Sequence, residues 1–291
     1  MTNKVLLTPA ELHALPKGEV VIIDTRAPDV YASGHIPGAV NIHEIFTHLS
    51  KSTPKGLAEL RGKFADAFGA AGLSGKETAV CVEESMTSGF GQSCRGYFLL
   101  TWLGYKKAAV LHGGMEAWRA AGMPVDTQVV TPTRATFPLS EAGSDMMVDR
   151  DEMLAAVGDD NIVKLDVRDV DEWIGTSSSP YGADFCPRKG RIPGARWLEW
   201  YRLMKPTPAG QVFKSGPEVL AECQTVGITK ESNVYLYCFK GARAANTLVA
   251  LHEAGVTNVR MYFGSWNEWS RDESLPIESG LPYAVTTGKR V

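Results

Sequence analysis

The segments VKLDVR (residues 163–168) and GRIPGA (residues 190–195) decide the fold, because both have a counterpart earlier in the chain. Residues 21–26 (VIIDTR) and 34–39 (GHIPGA) match them in the same order. In each copy a short apolar run ends in Asp-x-Arg, which is typical of a buried strand in a parallel sheet. A turn rich in glycine and proline follows. The matches indicate an internal repeat.

A third match extends the repeat towards the end of each copy. Residues 111–118 (LHGGMEAW) are answered by residues 262–269 (YFGSWNEW). The three matches have offsets of 142, 156 and 151 residues, measured at Asp24, Gly38 and Trp118. Because the order is kept and the offset is nearly constant, we interpret the chain as two copies of one domain fold.

Both copies have the same predicted sequence of elements. A second apolar strand is predicted at residues 78–82 and 233–237, followed by a loop and a helix. Gly104 and Gly255 stand where these helices should end, as C-terminal caps. Strands that alternate with helices predict an α/β fold, in which each copy is a parallel sheet flanked by helices.

The segment between the two copies has a different composition. It is rich in threonine, proline, serine and glycine and has no apolar periodicity, which is typical of a linker. We therefore predict a first domain over residues 1–127, a linker over residues 128–145 and a second domain over residues 146–291.

Composition excludes several classes of protein. The 291 residues include 22% charged residues and carry a net charge of −3, so no basic surface for nucleic acid or anionic membrane is indicated. Five cysteines are too few for a disulfide scaffold, and the six histidines show no zinc-like spacing. The histidine spacing predicts that the protein has no metal site. Residues 1–9 lack the apolar core of a signal peptide, so we expect a cytoplasmic protein.

The loop CFKGAR (residues 238–243) is the candidate reactive site of the second copy. Cys238 follows the predicted strand and precedes a predicted helix, where open backbone N–H groups favour a thiolate. Gly241 lets successive N–H groups turn inward, while Lys240 and Arg243 add positive charge. We expect Cys238 to be the nucleophile, and the substrate anion to contact the rest of the loop: Phe239, Lys240, Gly241, Ala242 and Arg243.

Purely structural roles for these residues remain open. Cys238 could be a small buried hydrophobe, and Arg243 could brace the loop instead of binding an anion. In the first copy Glu83 stands where Cys238 stands in the second, so we expect the first domain to be catalytically silent. Cys81 is expected in the core, and Cys94 is a weaker rival nucleophile.

At these residues the chain resembles the two-domain rhodanese family, the thiosulfate and 3-mercaptopyruvate sulfurtransferases. The resemblance covers about residues 5–285 and is carried by GHIPGA, by the Cys238 loop and by GSWNEW (residues 264–269). It implies a ping-pong transfer in which Cys238 takes the outer sulfur of a donor as a persulfide. It also implies that no metal or organic cofactor is needed.

The resemblance also suggests the substrates. Lys240 favours thiosulfate over 3-mercaptopyruvate. Arg188 resembles the arginine that holds the anionic end of the donor, and the alternative is that Arg188 is an exposed arginine without a role in binding. We expect a monomer that takes a small anionic donor and passes sulfur to cyanide or to a thiol, with thioredoxin and glutathione among the candidates. Arg191 replaces the usual histidine, and residues 175–189 form an unusual segment that contains Cys186.

Two rival functions stay open. Phosphatases and arsenate reductases of rhodanese-like fold have five residues between cysteine and arginine, whereas four separate Cys238 from Arg243. The shorter loop should be too tight for a phosphate. A persulfide carrier that serves a protein partner is the other alternative.

Overall fold

The computed structural model describes residues 4–281, which form two compact units. The first unit contains residues 4–48, 54–146 and 203–214, and the second contains the remaining described residues. The division therefore differs from the predicted boundaries, because residues 49–53 belong to the second unit, and residues 203–214, the predicted linker and residue 146 belong to the first. The outermost parts of the predicted domains, residues 1–3 and 282–291, lie outside the described residues.

The first unit is built on a five-stranded parallel sheet with strand order β1-β5-β4-β2-β3. Its strands are β1 (Leu6–Leu7), β2 (Val20–Asp24), β3 (Val40–Asn41), β4 (Thr78–Val82) and β5 (Ala108–Leu111). Its helices are α1 (Pro9–His13), α2 (Pro28–Ser33), α3 (Glu44–Thr47), α4 (Pro54–Ala70), α5 (Gln92–Trp102) and α6 (Gly114–Ala120).

The second unit repeats this plan in a sheet with strand order β6-β12-β11-β7-β8. From residue 147 the strands are β6 (Met147–Val148), β7 (Ile162–Asp166), β8 (Arg196–Trp197), β9 (Met204–Thr207), β10 (Gly210–Phe213), β11 (Asn233–Tyr237) and β12 (Val259–Tyr262). The helices are α7 (Arg150–Ala156), α8 (Val170–Trp173), α9 (Gly216–Gln224), α10 (Ala242–Glu253) and α11 (Ser265–Trp269). Strands β9 and β10 form a separate antiparallel pair that belongs to the first unit.

The central strands are apolar because helices cover both faces of a parallel sheet. In the second unit β11 pairs with β7 in the register Leu236 to Leu165, and both of these side chains are fully buried. Gly104 and Gly255 follow α5 and α10 with φ of +86° and +87°, as expected for helix-ending glycines. The predicted α/β architecture of two parallel sheets flanked by helices is confirmed.

The repeated Asp-x-Arg motif is a buried ion pair in both units. Arg26 donates to the Asp24 carboxylate and to the carbonyl of Gly34. Arg168 makes the same contacts with Asp166 and with Gly190. The motif thus joins the end of β2 or β7 to the glycine that opens the GHIPGA or GRIPGA turn.

The predicted linker packs against the first unit instead of crossing solvent freely. The N–H of Ala135 donates to the Gly69 carbonyl at 2.9 Å. The ring of Phe137 is 8% exposed and lies 5.6 Å from that of Phe68 and 5.4 Å from that of Tyr105. Its composition predicted irregular structure, and backbone hydrogen bonds together with the Phe137 ring attach it to the first unit.

Within residues 4–281, no helix combines the length and the apolar character that crossing a bilayer requires.

Candidate functional site

Cys238 lies directly after β11, at the carboxyl edge of the second sheet. Its carbonyl accepts the N–H of Trp266 at 3.0 Å, and its own N–H donates to the Ser265 hydroxyl at 3.3 Å. Its side chain is only 1% exposed. Loops that follow parallel strands meet at this edge, which is where ligands of open α/β sheets bind.

The loop after Cys238 directs backbone donors at the sulfur. Gly241 has a φ of +87°, and its N–H donates to Cys238 Sγ at 3.1 Å. Ala242 is the first residue of α10, so the sulfur also faces the positive end of a twelve-residue helix. The structure therefore brings Cys238, Gly241 and Ala242 together as the sequence predicted. This arrangement can stabilise negative charge on the sulfur or on an atom attached to it.

Phe239 and Lys240 contact an aromatic segment whose role the sequence did not reveal. The rings of Tyr181 and Phe185 lie 5.3 and 5.9 Å from the ring of Phe239. Lys240 Nζ lies 5.0 Å above the ring of Tyr181, close enough for a cation–π contact. Residues 175–189 thus pack on the reactive loop, and their two aromatic side chains in a polar stretch were the available signal.

Arg243 braces the loop, which is one of its two predicted roles, and its contact with the substrate stays a prediction. Its side chain is 4% exposed. The guanidinium pairs with Glu172 at 2.6 and 3.1 Å and with Asp169 at 3.0 Å. These two carboxylates and the Cys238 sulfur raise the pKa of Arg243 even though burial opposes its charge. Sequence reasoning named this alternative but missed both acidic partners.

Arg188 fails as an anion holder. It donates to the backbone carbonyls of Ser270 and Leu275 at 2.9 and 2.8 Å, and to those of Trp269 and Asp272. Because four carbonyl groups engage the guanidinium, it fixes the chain after α11 and does not point a charge at the sulfur. Its carbonyl partners lie 81 to 87 positions away along the chain, so the local sequence did not reveal them.

Arg191 and the acidic groups near Arg243 are structural as well. Arg191 pairs with Glu278 and stacks on the ring of Trp173 at 4.7 Å. Oxygens of Asp169, Asp171 and Glu172 lie within 4.8 Å of one another, which a cation could exploit. Since Arg243 already contacts two of these three carboxylates, the geometry assigns them to the ion pair.

The first unit holds a carboxylate at the corresponding position. Glu83 follows β4 as Cys238 follows β11, and its carbonyl accepts the N–H of Met115 at 2.9 Å. Its carboxylate accepts the N–H groups of Gly91 and Gln92 and the Ser93 hydroxyl. The loop donors of the first unit are thus occupied by its own side chain.

The other cysteines differ from Cys238 in their surroundings. Burial in the core of the first unit raises the pKa of the Cys81 and Cys94 thiols, which keeps both thiols protonated. Burial also raises the pKa of Cys223, to about 11. Cys186 Sγ lies 3.8 Å from the Arg271 guanidinium and is otherwise packed in the second unit. Among the five cysteines, which all lie in the described part of the chain, only Cys238 has a sulfur that accepts a backbone N–H.

Comparison with known proteins gives consistent relatives along the chain. The rhodanese-like domain family matches twice, at residues 8–121 and 149–272. A thiosulfate sulfurtransferase of Azotobacter vinelandii is 27% identical over 94% of this chain and 96% of its own length. The sulfur carrier protein TtuD of Thermus thermophilus is 28% identical over 91% and 92%.

Solved structures share the fold. An EanB variant in complex with ergothioneine has a TM-score of 0.80 at 24% identity, over 95% of this chain and 70% of that one. The structure of YnjE has a TM-score of 0.74 at 25% identity, over 95% and 68%. With two matched domains that together span most of its length, the chain belongs to the rhodanese-like family of sulfurtransferases.

Proposed function

We propose that the protein is a thiosulfate sulfurtransferase that carries sulfur as a persulfide on Cys238. The observation that carries the proposal is the hydrogen bond from the Gly241 N–H to Cys238 Sγ at the start of α10. Donors aimed at the sulfur stabilise the thiolate that attacks and the anionic sulfur that remains after transfer.

The reaction has two half-reactions. The Cys238 thiolate attacks the outer sulfur of thiosulfate, a sulfur–sulfur bond forms, and sulfite leaves with the electron pair of the old bond. A nucleophile such as cyanide then attacks the outer sulfur of the persulfide. Thiocyanate leaves, and Cys238 recovers its thiolate, so charge and atoms balance without a redox cofactor.

The charge of Lys240 supports thiosulfate as the donor. Lys240 is two residues after the nucleophile, and Tyr181 and the loop hold its ammonium group close to the reactive edge. A dianionic sulfonate gains more from this charge than the monoanionic 3-mercaptopyruvate. The name of the Azotobacter relative agrees with this choice.

The proposal is tested by intact mass after brief exposure to thiosulfate. We expect the wild-type protein to gain one sulfur atom and Cys238→Ser to gain none, with an unchanged unfolding midpoint. Cys186→Ser is the matched control, since it removes another buried thiol of the same unit and should still gain sulfur.

Other outcomes would redirect the assignment. Sulfur on Cys238→Ser would show that a different thiol is the carrier. Sulfur gained from 3-mercaptopyruvate but not from thiosulfate would place the enzyme with the mercaptopyruvate sulfurtransferases. Turnover of p-nitrophenyl phosphate would support the phosphatase alternative, which the pairing of Arg243 with Glu172 disfavours.

A persulfide carrier is the second candidate, favoured by the similarity to the sulfur carrier TtuD. An enzyme with small acceptors shows a rate that saturates with cyanide or thiol concentration. A dedicated carrier would load sulfur from thiosulfate and release it slowly to every small acceptor. Single-turnover release from the loaded protein distinguishes the two functions.

A further inference from the structure

The second unit contains a cleft of about 310 Å³, large enough for a small organic ligand. Residues 49–53, the start of α7 and the end of α11 form its walls. The charged and amide side chains that line it are Lys51, Arg150, Asn267, Glu268, Arg271 and Asp272.

Both carboxylates of the cleft have hydrogen-bond partners, but only Asp272 pairs with a cation. Glu268 accepts the N–H and the hydroxyl of Ser52 at 2.9 and 2.7 Å and the hydroxyl of Tyr262 at 2.9 Å. Asp272 pairs with Arg150 at 3.1 Å, and this ion pair and the Ser274 donors leave it fully compensated.

Two cations of the cleft lack such compensation. Arg271 donates to the Asn267 side-chain oxygen at 3.3 Å and to Cys186 Sγ at 3.8 Å, neither of which carries a carboxylate charge. Within residues 4–281, no carboxylate forms an ion pair with Lys51 or Arg271. Three cations and two carboxylates line the cleft, so it carries a net charge of one positive unit, which suits the carboxylate of a ligand.

The cleft adjoins the reactive loop. Asn267 lines it, and the N–H of Asn267 donates to the carbonyl of Phe239 at 2.9 Å. Phe239 is bonded to Cys238, and consecutive Cα atoms lie about 3.8 Å apart. One hydrogen bond and one peptide bond therefore link a residue that lines the cleft to the nucleophile.

We propose that this cleft binds the carboxylate of an acceptor thiol, so that Lys51 and Arg271 select acidic thiols as sulfur acceptors. The inference rests on the proposed function, which supplies the persulfide. The acceptor thiolate attacks the outer sulfur of the protonated persulfide, and a new sulfur–sulfur bond forms. The bond to Cys238 Sγ breaks, the cysteine thiolate is restored, and the acceptor leaves as a persulfide.

Dihydrolipoate and dihydrolipoamide test this proposal, because they carry the same dithiol and differ only in the carboxylate. For the wild type we expect a kcat/KM about tenfold higher with dihydrolipoate, through a lower KM. In the double variant Lys51→Gln, Arg271→Gln the two acceptors should become equal. The preference of the wild type should also fall as salt screens the two charges.

Cyanide provides the internal reference, since it has no carboxylate to bind. The double variant should retain the wild-type rate of thiosulfate-to-cyanide transfer. The matched control is Lys189→Gln, Lys230→Gln, which removes two other cations of the second unit and should keep the preference for dihydrolipoate.

Two results would overturn the inference. One is a wild type that uses the acid and the amide equally, and the other is a preference that survives in the double variant. Absence of thiosulfate-to-cyanide turnover in the wild type would remove the proposed function, and the acceptor site with it. A double variant that lost cyanide turnover would show that these residues support the loop and not the acceptor.

Discussion

At the scale of single residues, the conformation of Gly241 permits the contact to the nucleophile. Its φ of +87° lies in the left-handed region, where a side chain is strained. A Cβ at this position would also lie 3.2 Å from the carbonyl oxygen of Phe263. Glycine is therefore required both for the turn and for the N–H that points at Cys238 Sγ.

Gly241→Ala should destabilise the protein by about 1–2 kcal/mol and reduce sulfur transfer at least tenfold, because the strained loop moves its N–H away from the sulfur. Urea unfolding and thiosulfate-to-cyanide turnover measure the two effects. Gly158→Ala is the control, since that glycine has an ordinary φ and open space around it. Equal activity of the two variants would contradict the assigned role.

Glu83 makes the first unit sensitive to pH. Burial raises its pKa from 4.5 to about 7, although hydrogen bonds from Ser93, Gln92 and Gly91 oppose the shift. A raised pKa in the folded state means that the protonated form fits the site better. Its contribution to stability is thus fully present below pH 4.5 and is lost as pH rises through 7.

Glu83→Gln should remove this dependence, because an amide does not titrate. Relative to the variant, the wild type should lose about 3 kcal/mol of unfolding free energy between pH 4 and pH 8. Urea denaturation across that range, followed for both proteins, gives the difference. A difference that stays flat would mean that the three hydrogen bonds cancel the effect of burial, and a wild type that gains stability with rising pH would mean that they outweigh it.

At the scale of elements, one ion pair joins α8 to α10. Glu172 on α8 is 1% exposed and binds Arg243, which lies in the first turn of α10. The arginine is the last residue of the loop CFKGAR, so the ion pair with α8 fixes where that loop ends. Glu172 is therefore a positioning residue, since it acts on the sulfur through Arg243.

Glu172→Gln should cost about 3 kcal/mol, because it leaves a buried guanidinium with Asp169 as its remaining carboxylate. We also expect the rate at which iodoacetamide alkylates Cys238 at a fixed pH to change, because Arg243 would no longer be held by Glu172. Asp184→Asn, which breaks the exposed pair with Lys189, should cost no more than about 1 kcal/mol. Unchanged alkylation in Glu172→Gln would limit the ion pair to stability.

At the scale of the whole molecule, segments outside the repeated motifs complete each unit. Residues 128–145 carry Phe137 into the first core, and residues 49–53 carry Ser52 to Glu268 in the second unit. The two copies are thus not divided cleanly at a linker.

Phe137→Ala should destabilise the first unit by about 3–4 kcal/mol, because it removes a ring packed against Phe68 and Tyr105. Leu139→Ala is the matched control two residues away, where the side chain is 46% exposed and should cost less than about 1 kcal/mol. Thermal unfolding of both variants measures the difference. Similar midpoints would mean that the segment is only a tether.

The sequence by itself determined the duplicated α/β fold and the position of Cys238. Strand periodicity, glycine turns and the order of the elements are local properties, and a duplication shows them twice. The loop CFKGAR likewise keeps its donors within a few residues of the sulfur, so Cys238, Gly241 and Ala242 were predicted together.

Only the tertiary structure decided the roles of the arginines and of the segments outside the repeat. From the sequence, Arg243 and Arg188 were both predicted to bind the substrate anion. What each one binds depends on groups 71 to 87 positions away along the chain. Charge at a residue is local, but its compensation is not. For the same reason the surplus charge of Lys51 and Arg271 emerged only when the carboxylates around the cleft were assigned to their partners.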